Sequence, residues 1–287
     1  MESYSESLAA LPSAAPWIVA VLLGLALGSF VNVVIARLPR MLERGWHEAY
    51  AEVRGESATP EPPYNLARPG SHCPHCGHAL SWLELLPVVS WCWQRGRCRH
   101  CQAAISWQYP LVELAGAALA AACYWRFGLH PYALAAFGAS LALLALAVID
   151  LQTLLLPDDI TQPLLWSGLL VAVAGWGPIL PTAAIIGAAA GYAALWLLAT
   201  VYRLITGREG MGQGDFKLLA ALGAWLGPLA LPPIVLAASV LGLAAGVYLM
   251  VRQRAHSRTP LPFGPCLALA GAIQFFLLPP VRLWPLG

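Results

Sequence analysis

The chain has 287 residues, of which 59% are hydrophobic and only 10% are charged, and its formal net charge is +2 at pH 7. This composition is too apolar for a soluble globular domain, and the small net charge gives no indication of a nucleic-acid partner. Apolar stretches near the roughly 20 residues that cross a lipid bilayer as a helix recur along the sequence, which predicts an all-α polytopic membrane protein.

About eight transmembrane helices are predicted. The first apolar stretch follows Glu2 and Glu6 rather than basic residues and lacks a small-residue cleavage site, so we interpret it as a retained helix and not as a signal peptide. Small residues such as Gly187 and Gly191 indicate that some of these helices pack closely. The predicted spans are 15–37, 109–127, 131–150, 160–178, 180–203, 216–231, 232–251 and 261–283.

The orientation follows from the basic residues. Fourteen of the sixteen lysines and arginines fall in the loops on one side of this arrangement, and only Arg126 and Arg282 fall on the other. Because cytoplasmic loops carry the excess of basic residues, we expect both termini on the outer side of the membrane.

One long polar segment, 38–108, divides the chain into three predicted parts. Residues 1–37 form the first transmembrane helix, 38–108 a small cytoplasmic domain, and 109–287 a seven-helix transmembrane domain. Within the polar segment, a charge-alternating stretch typical of a solvated helix is followed by a proline-rich stretch at 59–63 and then by a cysteine-rich half.

The cysteine-rich half contains two C-x-x-C motifs with the spacing of a zinc ribbon: Cys73 and Cys76, then Cys98 and Cys101. Four thiolates bind zinc tetrahedrally and leave no open position, so the predicted metal is structural. Two disulfides are the alternative, but the cytoplasm keeps thiols reduced. Histidines near the motifs are alternative ligands, whereas the remaining cysteines are interpreted as small hydrophobic residues. These histidines are His72, His75, His78 and His100, and these cysteines are Cys92, Cys123 and Cys266.

Two carboxylates are predicted at similar depth in the membrane. Asp150 ends one apolar segment, and Asp215 precedes another within G-Q-G-D-F-K at 212–217. Placing an ionisable group at membrane depth costs on the order of 2.5–3.5 kcal/mol unless the group is paired or hydrated, and such groups commonly have a functional role. Each of the two aspartates is therefore a candidate functional residue. Two aspartates that share one proton activate a water molecule and polarise a carbonyl, which predicts an aspartic-protease pair.

Other residues near this pair have competing interpretations. Gly212 and Gly214 are candidate supporting residues, because glycine lets the main chain approach an extended substrate. Lys217 either acts on the ionisation of Asp215 or, as is typical of such a lysine, anchors the helix at the headgroups. Two further acids are alternative candidates for the catalytic role of Asp150, although their position at a helix start is explained by capping. A third acid, at shallow depth in the membrane, either pairs with an arginine or assists the chemistry. These acids are Asp158, Asp159 and Glu113.

Motifs along nearly the whole chain resemble those of the type IV prepilin leader peptidases, the bifunctional peptidase/N-methyltransferases of bacterial pilus and type II secretion systems. They comprise G-S-F-V-N-V-V-I-A-R-L-P at 28–39, C-P-H-C at 73–76, R-G-R-C-R-H-C at 95–101, I-S-W-Q-Y-P-L-V-E-L at 105–114, I-D at 149–150, L-P-D at 156–158 and G-Q-G-D-F-K-L-L at 212–219.

The resemblance implies that Asp150 and Asp215 are the catalytic pair of an enzyme in the bacterial inner membrane. It implies that prepilin and pseudopilin precursors are cut at the cytoplasmic face, after a glycine that precedes a hydrophobic helix. The new N-terminal residue would then be methylated with S-adenosylmethionine. No glycine-rich nucleotide-binding loop follows a strand, so the methyl-donor residues are left open, with 28–39 and 95–101 as candidate regions. The oligomeric state is left open as well.

Three other functions fit parts of the pattern. A proton-coupled transporter would use Asp150, Asp215 and Glu113 as a relay, but these acids cluster near one face of the membrane. A zinc-stabilised scaffold would bind a partner through its cytoplasmic domain and would tolerate loss of both aspartates. A G-x-G-D intramembrane protease would cut inside spanning helices, whereas the large cysteine-containing domain favours the prepilin class.

Overall fold

A computed structural model describes residues 14–55, 62–252 and 261–277. All regular elements in these ranges are helical, which confirms the all-α prediction, and two isolated antiparallel bridges join His72 to Ala79 and Arg97 to Ala104. The helices are α1 (Ala15–Val53), α2 (Val89–Trp93), α3 (Gln108–Phe127), α4 (Pro131–Thr153), α5 (Asp158–Val173), α6 (Pro181–Thr206), α7 (Gln213–Leu226), a 3-10 turn (Pro228–Ala230), α8 (Leu231–Val251) and α9 (Gly264–Leu277).

Some sequence predictions fall on residues that the structure does not describe. These residues are Glu2, Glu6, Arg254, Arg258 and Arg282, together with most of the proline-rich stretch and the end of the last predicted span.

Four helical segments are long and apolar enough to cross a membrane: Ala15–Val53, Pro131–Thr153, Pro181–Thr206 and Pro228–Val251. The protein is therefore a membrane protein. Helices α5 and α7 have only 16 and 14 residues and reach about 24 and 21 Å at 1.5 Å per residue, less than the roughly 30 Å of hydrocarbon. A helix overlaps each predicted span, but the count of eight membrane crossings stays a prediction.

Helix α1 is longer than the predicted first span. It continues through Pro39 to Val53, because the residues after Arg37 are rich in the helix formers leucine, methionine, glutamate, arginine and alanine. The charge-alternating stretch is thus the continuation of the first helix.

The chain forms two compact units, Met1–Leu129 and His130–Gly287. In the first unit, α1 and α3 run antiparallel with their backbones in close contact. A Cβ on Gly24 would lie 2.6 Å from the Cα of Ala117, so only glycine fits there. The amide of Asn32 also donates a hydrogen bond to the carbonyl of Tyr109 at 3.0 Å.

In the second unit, α7 is the central helix, and α5, α6 and α9 pack against it. Its residues from Asp215 to Trp225 are buried except Lys217, and Trp225 donates a hydrogen bond to the carbonyl of Leu164 at 2.8 Å. The predicted close packing at Gly191 is confirmed, since a Cβ there would lie 2.6 Å from the carbonyl oxygen of Leu219. The first turn of this central helix carries Asp215.

Candidate active site and metal centre

Asp150 and Asp215 both lie in the second unit and are buried, with 5% and 7% of their surface exposed. Asp150 is in the last turn of α4, and Asp215 is the third residue of α7. The two carboxylates are close enough to interact electrostatically. The fold therefore brings together two buried acids that are 65 residues apart in sequence, as their numbers show.

The two carboxylates differ in their hydrogen bonds. Asp150 Oδ2 accepts a hydrogen bond of 2.9 Å from the backbone N–H of Gly264, the first residue of α9. Asp215 Oδ1 is buried and has no hydrogen-bond partner among the described residues. An unsatisfied buried acceptor costs about 1–3 kcal/mol, so its retention needs a reason beyond stability.

Sequence analysis missed Gly264, and the available signal was the proline-flanked glycine of P-F-G-P at 262–265. A Cβ on Gly264 would lie 2.7 Å from Asp150 Oδ2, so any side chain would displace that carboxylate. Glycine at this position lets the main chain contact Asp150 directly.

The two glycines predicted to support the pair have different environments. Gly214 lies against Leu156, whose Cβ would be 2.7 Å from an added Cβ, so close packing explains this glycine. Gly212 is the N-cap of α7 with φ −76° and has open space around it, apart from Asp215 Oδ2 at 3.9 Å from an added Cβ. Open space beside the carboxylate fits the predicted approach of a substrate chain.

Lys217 forms an ion pair with Asp158, in which its Nζ lies 2.7 Å from both carboxylate oxygens. The pair joins the N-terminal parts of α5 and α7 and is partly exposed. Asp158 is also an acid in the first turn of α5, as the capping interpretation expects, and the ion pair gives it a second role. Asp159 is also in this first turn and is exposed.

In the first unit, Glu113 is buried, and its carboxylate accepts a 2.7 Å hydrogen bond from the backbone N–H of Val88. This backbone contact, and not an arginine, is the partner that the structure gives it. The hydroxyl of Ser29 on α1 also interacts with this carboxylate.

The four cysteines of the C-x-x-C motifs converge, and their sulfur atoms all lie within 4.8 Å of one another. The two motifs fold alike. Cys73 N–H donates to His78 O and Gly77 N–H to Cys73 O, while Cys98 N–H donates to Ala103 O and Gln102 N–H to Cys98 O, all at 2.9–3.0 Å. Two matching turns thus present two thiols each.

This arrangement fits a zinc ion. Sulfur atoms at about 2.3 Å from a tetrahedral zinc lie roughly 3.8 Å apart, and the sulfurs of Cys73 and Cys101 are 3.8 Å apart. The nearby histidines have other contacts: the rings of His78 and His100 lie 3.5 Å apart, and His72 Nδ1 is 2.8 Å from the carbonyl oxygen of Gly70.

The thiols hold their protons unequally. Backbone N–H groups of Cys76 and then His75 lower the pKa of Cys73 to about 6. The pKa of Cys101 is raised to about 11, because the backbone hydrogen bond from Ala103, which lowers it, is outweighed by burial and by the neighbouring thiols. The Cys73 thiolate is therefore available near neutral pH, whereas Cys101 would lose its proton on binding a metal.

Models of known protein families match both units of the chain. A family model described as the bacterial peptidase A24 N-terminal domain matches residues 22–127, and one described as the type IV leader peptidase family matches residues 137–247. No solved structure matches the chain.

Several relatives carry the name prepilin leader peptidase/N-methyltransferase. The protein from Burkholderia pseudomallei (strain K96243) is 50% identical over 279 residues, which cover 96% of this chain and 90% of the relative. Those from Aeromonas hydrophila and Dickeya chrysanthemi are each 48% identical, covering 94% and 91% of this chain and 94% and 93% of the relatives. With two adjoining family matches and relatives of this identity and coverage, the chain belongs to the type IV prepilin leader peptidase family.

Proposed function

We propose that this protein removes the basic leader from type IV prepilins and pseudopilins and then methylates the new N-terminal residue. The names of its relatives support this activity. The observation that carries the proposal is the buried pair of Asp150 and Asp215, one of whose oxygens has no partner among the described residues.

In the proposed hydrolysis, the two carboxyl groups share one proton. The N–H of Gly264 donates to Asp150, and a charged carboxylate accepts such a bond more strongly, so we assign Asp150 as the base. It takes a proton from a water molecule whose oxygen bonds to the carbonyl carbon. Asp215 gives its proton to the carbonyl oxygen, which forms a tetrahedral diol.

Collapse of this diol completes the cut. The nitrogen of the leaving chain takes the proton from Asp150, the carbon–nitrogen bond breaks, and the diol proton returns to Asp215. The leader leaves with a new carboxyl group, and the mature chain leaves with a free amine, which is the methyl acceptor in the second reaction.

The proposed setting is the bacterial inner membrane, with eight crossings, both termini periplasmic, and cleavage at the cytoplasmic face. Residues 38–108 would form the cytoplasmic domain and 109–287 the seven-helix domain. The positive-inside rule supports this orientation. Gly212 would border the substrate chain beside Asp215, and Lys217 would align the start of α7 through Asp158.

We propose that Cys73, Cys76, Cys98 and Cys101 hold a structural zinc ion. The 3.8 Å spacing of two sulfurs and the lowered pKa of Cys73 support it. Bound zinc would supply folding free energy to this region and take no part in hydrolysis.

For S-adenosylmethionine, the methyl donor, the two candidate regions differ. Residues 28–39 are engaged in packing, since Gly28 contacts Glu113 and Asn32 contacts Tyr109. Residues 95–101 border an open pocket that offers a pair of mutually contacting tryptophan rings for stacking with an adenine and two guanidinium groups for a carboxylate, and we propose that the donor binds there. Its lining includes Trp91, Arg95, Gly96, Arg97 and Trp107.

Mass spectrometry of a prepilin precursor tests the two activities together. The purified protein is incubated with the precursor in detergent, with and without S-adenosylmethionine. We expect loss of the leader in both samples and one added methyl group only with the donor.

Leader loss without methylation would leave a peptidase only. An intact precursor would contradict the proposal and favour a transporter or scaffold.

A further inference from the structure

A short segment of the first unit, Ser81–Gln94, exposes an unusually apolar surface. Its two outer tryptophans, Trp82 and Trp93, are 73% and 74% exposed. The exposed apolar residues between them are Leu83, Leu85, Leu86 and Val89. We call these six residues the Trp82–Trp93 surface.

The one charged residue of this segment, Glu84, is turned away from that surface. Its carboxylate accepts hydrogen bonds from the backbone N–H and the hydroxyl of Ser81, at 2.9 and 2.8 Å. It also lies 3.9 Å from His78, and its side chain is only 7% exposed. The exposed part of the segment therefore carries no charge.

The position of the segment along α1 gives its depth in the membrane. In α1 the residues from Pro16 to Ala36 carry no charge, and Arg37 is the first charged residue. Glu113 lies opposite Gly28, since a Cβ on Gly28 would be 2.9 Å from the Cα of Glu113. Arg37 lies nine residues beyond Gly28 along the helix, a rise of about 13.5 Å, so Glu113 lies at the depth of the apolar part of α1.

Val88 is bound at this depth through its N–H, which donates to Glu113 at 2.7 Å. Its φ of 60° is rare for a β-branched residue, so this backbone conformation is strained and needs the surrounding contacts to maintain it. Backbone outside a helix is tolerated at membrane depth only where its polar groups are satisfied by the protein, and Glu113 satisfies this one.

We propose that the Trp82–Trp93 surface, as one part of the otherwise cytoplasmic segment 38–108, dips into the bilayer beside α3 and contacts lipid. Tryptophans at the two ends of a segment whose exposed side chains carry no charge are typical of a membrane interface. Helix α3, which carries Glu113, also exposes apolar side chains, since Leu111 and Leu114 are 60% and 50% exposed. Glu113 is thus the anchor of a re-entrant segment, and this role is independent of the proposed peptidase activity.

Photo-crosslinking in the full-length protein tests this proposal. Benzoylphenylalanine replaces Trp82 or Trp93, and the protein is reconstituted in liposomes of phosphatidylethanolamine and phosphatidylglycerol. Trp46 is the matched control, because it is also an exposed tryptophan, at 54%, but lies beyond Arg37 on α1. We expect lipid adducts at positions 82 and 93 and none at 46.

Absence of lipid adducts at 82 and 93, or equal adducts at 46, would overturn the proposal. Cross-links from positions 82 and 93 to a second copy, or to the His130–Gly287 unit, would also overturn it, because they would show that protein and not lipid covers this surface.

A second pair of variants tests the anchor with the same readout. Glu113→Gln keeps an acceptor oxygen for the N–H of Val88 and should keep the adducts. Glu113→Leu removes the acceptor and should lose them. Adducts that persist in Glu113→Leu would show that Glu113 does not hold the segment at this depth.

Discussion

The two units bring polar side chains together in opposite ways. In the His130–Gly287 unit, two carboxyl groups are buried near helix ends, and one oxygen of Asp215 has no partner among the described residues. In the Met1–Leu129 unit, four thiols converge on one point from two matching turns. The aspartate pair keeps an oxygen free to bond to a substrate, whereas the thiol cluster has all its positions filled once a metal binds. Hydrolysis is therefore expected at the aspartate pair, and a stabilising role is expected for the thiol cluster.

The largest effect is expected from Asp215→Asn. The amide keeps the shape of the side chain but cannot share a proton, so cleavage should fall by at least roughly 10²–10⁴-fold, as measured by precursor processing. Asp159→Asn is the matched control, because Asp159 is exposed, and it should cleave normally. A wild-type cleavage rate for Asp215→Asn would contradict the catalytic role assigned to the aspartate pair.

The next largest effect is expected from a substitution in the four-cysteine cluster. Cys73→Ser should abolish zinc binding, because three thiolates and a hydroxyl make a much weaker site, and should expose residues 62–108 to limited proteolysis. Elemental analysis and proteolysis check this, with Cys92→Ser as control, since Cys92 is an exposed cysteine outside the cluster. Zinc content equal to wild type in Cys73→Ser would contradict the four-thiolate site.

An intermediate effect is expected at Gly264. In Gly264→Ala the new Cβ would lie 2.7 Å from Asp150 Oδ2, and the carboxylate must move. A shift of about 1 Å can cost roughly 10²-fold in rate, so kcat should fall by that order while thermal stability changes little. Gly138→Ala is the control, because nothing lies within 4 Å of an added Cβ there. Equal activity of both variants would show that Gly264 does not position Asp150.

The smallest effect is expected at the ion pair of Lys217 and Asp158. Since the pair is partly exposed, its coupling energy should be about 0.2–1 kcal/mol. A double-mutant cycle of Lys217→Gln and Asp158→Asn, followed by thermal unfolding, measures it. Coupling of several kcal/mol would mean that the pair is a main support of α7.

Local patterns in the sequence were enough to predict the helices, the membrane class, the cysteine cluster and the two aspartates as candidates. C-x-x-C spacing and apolar length are local properties, so they can be read without a fold. The bonds of Asp150 to Gly264, Lys217 to Asp158 and Glu113 to Val88 could not be predicted, because each joins residues far apart in sequence. The solvated helix after Arg37 was predicted, but its continuity with the first span was missed, because hydropathy marks the membrane boundary and not the end of the helix.

The measurement that tests the central claim most directly is the cleavage rate of Asp150→Asn, Asp215→Asn and the double variant on one precursor. If the two aspartates act as a unit that shares one proton, each single variant loses essentially all activity and the double variant loses no more. Partial losses that multiply in the double variant would show two independent residues and would contradict the shared-proton pair.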